Sequence, residues 1–68
     1  MGFNKRYINK KIIKTILNED GIDCLIDFIR KPDALIIEDV YSSQVCNIIL
    51  NSEEGEDVLN KILKLDNI

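Results

Sequence analysis

Ile8, Ile12 and Ile16 recur every four residues, and Ile13 and Leu17 widen the row. Lys10 and Lys14 fall on the opposite side. That spacing predicts an amphipathic helix from about Asn4 to Asn18, with Asn4 as its N-cap. Lys5 and Arg6 would then sit at the positive end of the helix dipole, so the apolar stripe must supply the stability. Glu19-Asp20-Gly21 ends the pattern. Gly21 suits the left-handed backbone of a helix C-terminus, and Asp20 is placed to cap the next helix with Asp23 in support.

The segment from Gly21 to Lys31 fits two periods. Ile22, Cys24, Ile26 and Phe28 alternate as in a strand, whereas Ile22, Leu25, Ile26 and Ile29 keep helical spacing. Arg30 and Lys31 suit a helix C-terminus, and Pro32 stops it, which favours helix. Beyond Pro32, Asp33 is placed to cap a helix starting at Ala34. Its stripe would be Ile36, Ile37, Val40, Tyr41, Val45, Ile48 and Ile49, running to Asn51 with a weak point at Ser42-Ser43. The competing reading keeps Leu35–Val40 as a strand and starts a helix at Ser42. The β-branched residues favour it locally, but a strand needs a partner, and the only one in view is the segment before it.

The last element is the clearest. Ser52 is placed to cap it, Glu53, Glu54, Glu56 and Asp57 load its start, and Lys61 and Lys64 lie toward its end. Val58, Leu59, Ile62 and Leu65 form its buried face. The expectation is an all-α fold, a small compact bundle of three to four helices in one domain spanning residues 1–68. The alternative is α+β, with strands near 22–29 and 34–40.

Two stretches carry a resemblance. Asn18-Glu19-Asp20-Gly21-Ile22-Asp23-Cys24-Leu25-Ile26 resembles the glycine–apolar–x–x–leucine–apolar start of an armadillo-type helix. Val45 to Leu59, VCNIILNSEEGEDVL, resembles the helix–Asn–Ser–x–x–Gly–helix corner of the armadillo-like N-terminal domains of formins. The resemblance spans about residues 18–60. It implies helix rather than strand and protein partners held on helical surfaces, and it transfers no functional residue.

Composition narrows the chemistry. The chain of 68 residues has no His and no Trp, and only 6% of it is aromatic, so its core must be aliphatic. Cys24 and Cys46 are read as two buried free thiols, since two thiolates without His make a poor zinc site. No apolar run approaches the roughly 20 residues that span a bilayer, and no signal-peptide pattern is visible. A cytoplasmic protein is expected.

Charge is sharply divided. Residues 1–18 carry Lys5, Arg6, Lys10, Lys11 and Lys14 and no acid. Residues 19–68 hold all 12 acids against Arg30, Lys31, Lys61 and Lys64, and the chain is −3 overall.

No catalytic constellation stands out, so an enzyme is not expected. Without His, base catalysis near neutrality would need a tuned carboxylate, Lys or Cys. The three glycines are isolated and build no phosphate loop. Leu35-Ile36-Ile37-Glu38-Asp39 resembles the phosphoacceptor strand of a receiver domain, but the chain is too short for that doubly wound fold and lacks its other acids and lysine. Glu53–Asp57 lacks the alternation of a calcium loop and reads as a charged helix start. No cofactor or metal is expected. A small protein-binding module remains, with Lys5, Arg6, Lys10, Lys11 and Lys14 as its partner-binding residues. An inhibitor or adaptor of a phage or mobile element is one form such a module takes. Pairing of two copies, basic helix to acidic body, fits the same charge layout. The rival reading is nucleic-acid binding or transcriptional regulation through the basic first helix, opposed by the acidic remainder.

Overall fold

Four helices pack over a two-stranded parallel sheet in the computed structural model, which describes residues 5–67. The order is β1 (Arg6–Ile8), α1 (Lys10–Glu19), α2 (Ile22–Arg30), β2 (Leu35–Ile37), α3 (Val40–Asn51) and α4 (Gly55–Asp66). The fold is mainly α, as the helical periodicities predict. Parallel strands require a long crossover, and here α1 and α2 together provide it. The register pairs Arg6 with Leu35, Tyr7 with Ile36 and Ile8 with Ile37.

The core is aliphatic. Ile8, Ile13, Leu25, Val45, Ile49, Val58 and Ile62 are essentially excluded from solvent, joined by Ile26, Ile29 and Cys46. Each helix contributes through residues three or four apart, which is how a 3.6-residue period delivers one buried face. The segment 22–29 is helical, not a strand, and α4 buries Val58 and Ile62 as its pattern predicts.

Three expectations are corrected. The first helix begins at Lys10, because Arg6–Ile8 is a strand; its cap is Asn9, and Asn4 lies outside the described residues. Ile8 belongs to the core as a strand residue, so its four-residue spacing to Ile12 was coincidental. The helix predicted from Ala34 is absent. Leu35–Ile37 pairs with β1, and Asp39 rather than Asp33 caps the following helix, which runs unbroken through Ser42-Ser43. The start of α4 lacks a side-chain cap: Glu54 occupies the cap position, and Ser52 instead terminates α3. Among smaller points, Cys24 is exposed while Cys46 is buried, and both are free thiols. Burial pushes the Cys46 thiol up from its ordinary value.

Two arginines close two helix ends. The Arg30 guanidinium donates to Ile49 O and Ser52 O at 2.8 Å, satisfying carbonyls that the end of α3 leaves without partners. Arg6 does the same at the end of α2. It donates to Phe28 O and, at 3.4 Å, to Lys31 O and Asp33 O, and its guanidinium lies 4.8 Å from the Phe28 ring centroid.

The α1–α2 corner turns at Gly21, whose φ of 94° and ψ of 175° define a conformation open essentially to glycine alone. No atom would touch an added Cβ there, so only backbone strain opposes substitution. Gly21→Ala should therefore cost about 1–3 kcal/mol. For a chain this small each kcal/mol lowers Tm by about 4–8 °C, which a thermal melt followed by circular dichroism will read.

Candidate partner-binding surface

Both strands of the sheet run into the start of a helix. Asn9 follows β1 and caps α1, its Oδ1 accepting from the Ile12 N–H at 2.9 Å. Asp39 follows β2 and caps α3, accepting from the Ser42 N–H at 2.8 Å. Because the register sets these turns side by side, they are also tied across the sheet. The Lys10 N–H donates to the second Asp39 oxygen at 2.9 Å, and Asn9 Nδ2 donates to Glu38 Oε1 at 2.8 Å. One carboxylate thus serves the orphan N–H groups of two helices, where the dipoles favour negative charge. The Ser42 hydroxyl is fully buried and makes no geometrically complete hydrogen bond of its own. Together with the Lys10 and Ser42 N–H groups, it holds the Asp39 carboxyl below its usual range. This accounts for the Asp at the end of Leu35–Asp39 without phosphate chemistry.

The five cations predicted as a single partner-binding face divide into two groups. Arg6 is committed to carbonyls in the last turn of α2 and just after it, and its Nε lies 3.9 Å from Asp33 Oδ2. Lys14 pairs with Asp66 at the end of α4. Tyr41 completes that clasp, its hydroxyl donating to the other Asp66 oxygen at 2.8 Å. Lys10 shares the Tyr41 ring, its Nζ 5.1 Å from the centroid, with the Lys14 Nζ at 5.5 Å. Lys5 and Lys11 are exposed. Among the described residues, no carboxylate forms an ion pair with Lys5, Lys10 or Lys11.

Sequence reasoning missed the apolar part of this surface. Tyr7 is 48% exposed, Ile36 36%, Ile37 44% and Val40 75%. Tyr7 and Ile36 are register partners and therefore share the outer face of the sheet; Val40 opens α3 directly after Asp39. The signal that could have found them was the run Leu35-Ile36-Ile37 followed by Glu38-Asp39, once Tyr7-Ile8 was recognised as its partner strand.

Among the described residues no group of His, Cys, Asp or Glu is placed to hold a metal ion, and no helix is long and apolar enough to cross a membrane. The chain matches no protein-family model, no curated protein and no solved structure.

The clasp has a pH window. The Lys14 and Tyr41 hydrogen bonds hold Asp66 below 3.8, and the Asp66 hydrogen bond holds Lys14 above 10.5. A depressed carboxyl stabilises the fold above its unfolded pKa and loses that contribution as pH falls through its folded value. A raised ammonium stabilises below its unfolded pKa and loses its contribution as pH rises through its folded value. Asp66→Asn should therefore lower Tm at pH 7, and the difference from the parent should shrink as pH drops below about 3.8. Paired melts from pH 2 to pH 7 measure this.

Proposed function

We propose that this chain is a small protein-interaction module with a binding rather than a catalytic role, acting in the cytoplasm as an inhibitor or adaptor of phage or mobile-element type. The observation that carries the reading is the exposed pair Tyr7 and Ile36 on the outer face of the sheet, with Ile37 exposed at the β2 edge and Val40 just beyond it, accompanied by cations without ion-pair partners. An apolar centre with a charged rim is the usual anatomy of a protein interface. Lys10 belongs to that rim, since its backbone N–H bonds the Asp39 carboxylate beside Val40. The cations would steer an acidic region of the partner toward this side of the molecule, whatever the charge of the segment that docks beside β2.

A nucleic-acid role draws less support. Of the five basic side chains in residues 1–18, Arg6 and Lys14 are already engaged by groups of the fold itself. The opposite charge also gathers elsewhere: α2 and α4 start against one another, a Cβ at Gly55 lying 3.0 Å from Asp23 Oδ1. Asp23 thus stands beside the acid-rich start of α4, and that concentration of acids opposes a polyanion.

The test is Lys10→Glu combined with Lys11→Glu, which leaves the Lys14–Asp66 clasp intact. Immobilised parent protein at low salt should retain a protein from its source cell. The double variant should bind that protein about tenfold more weakly or worse, with the gap narrowing as salt rises. Titration with labelled duplex DNA separates the rival. Micromolar binding at physiological salt, with a salt slope that falls by about two in the double variant, would transfer the assignment to nucleic acid.

A further inference from the structure

We propose that the free edge of β2 accepts an extended strand from the protein partner, an alternately apolar segment flanked by Lys or Arg. This rests on the interaction-module reading and gives it a mode of binding. The parallel ladder decides which backbone groups remain free. Arg6 N–H donates to Ala34 O at 3.1 Å, and Glu38 N–H donates to Ile8 O at 2.9 Å. With the register above, Arg6 and Ile8 turn their peptide groups toward β2, and Ile36 turns its groups toward β1. Leu35 and Ile37 therefore aim their N–H and C=O groups away from β1. Among the described residues none of these four groups has a hydrogen-bond partner.

Side-chain burial independently shows that this edge is open. Ile8 and Ile37 are register partners and share the inner face, yet Ile8 is 0% exposed and Ile37 44%. The helices cover the β1 side of that face and leave the β2 side uncovered. A third strand beside β2 would satisfy Leu35 and Ile37 and cover the flank of Ile37, while Ile36 extended the contact on the outer face. Such pairing gives affinity through the main chain and specificity through alternate side chains.

Charge selects the occupant. Asp33 and Glu38 stand exposed at the two ends of β2. A second copy pairing antiparallel about Ile36 would bring Leu35 opposite Ile37 of its mate, but it would also set Asp33 opposite Asp39, both acidic. A foreign strand with basic flanks meets the same hydrogen-bonding groups and neutralises those ends instead.

The probe is a fluorescently labelled Lys-Val-Thr-Ile-Thr-Val-Lys peptide, titrated by anisotropy against the full chain at low salt. Saturable binding is expected, with amide shifts at Leu35 and Ile37 in a 15N-labelled protein. Ile37→Pro removes a free N–H without touching the β1 ladder and is tolerated at an edge; it should weaken binding about tenfold. If that variant does not fold, the same loss is expected for a peptide methylated on alternate backbone nitrogens, tested against the unaltered protein. Replacing both terminal Lys of the peptide with Glu should also weaken binding. No binding, binding unaffected by either backbone block, or shifts confined to other elements would overturn the proposal. So would a concentration-dependent dimer, seen by sedimentation, that Ile37→Pro abolishes, since the occupant would then be a second copy. If a captured natural partner binds parent and Ile37→Pro equally, strand addition fails while the interaction module stands.

Discussion

The structure depends on the parallel pairing of two three-residue strands. A pair this short does not persist by itself, because three ladder positions offer too little against the chain entropy of holding them. It persists here because every end of it is fastened. Ile8 is locked in the core, Arg6 grips carbonyls at the end of α2, and Asn9 and Asp39 carry the strands into two helices. Breaking the register by one residue would turn Ile8 outward and Arg6 away from its carbonyls. The same slip would separate Lys10 from the Asp39 carboxylate. One alignment therefore satisfies packing, helix ends and charge together.

This arrangement explains why charge on the first 18 residues is only partly a surface property. Arg6 and Lys14 look like members of a basic face in the sequence, yet each is a structural connector in space. Arg6 joins β1 to the end of α2, and Lys14 joins α1 to the end of α4 through Asp66 and Tyr41. Lys5, Lys10 and Lys11 are exposed and form no ion pair among the described residues.

How much of this was legible follows from where each signal lies. Helices α2 and α4 were readable because their end charges and apolar stripes are local, although neither has the side-chain cap expected of Asp20 and Ser52. Strand β1 was not, since Tyr7-Ile8 merged into the isoleucine row of α1 and only Ile36-Ile37, far along the chain, reveals the pairing. For the same reason β2 read as a helix: its β-branched residues argued for a strand, but no partner was visible. Of the candidate site, the lysines were legible as cations and their fates were not. Asp66 lies 52 positions from Lys14, and nothing near Lys14 in sequence announces it. The exposed Tyr7, Ile36, Ile37 and Val40 could not be told from core residues without the sheet.

The crossover through α1 and α2 also shapes the order in which the molecule assembles. Residues tied across the sheet stand 29 positions apart, as Lys10 and Asp39 do. Closing a loop of that length costs on the order of 3 kcal/mol beyond the constant term, and the reward is a ladder of three pairs. Helices α1 and α2 meet across the short corner at Gly21, and α3 and α4 meet across the short link between them, so these two pairs have the small sequence separations that favour early contact. The pairing of β1 with β2 is instead the long-range step, made only once the chain between them has folded back. When β1 lifts, β2 loses the one neighbour it has among the described residues, and both of its edges are then unpaired there. The transient state reached by that opening is thus the form of this chain most prone to pair with strands it was not built to meet.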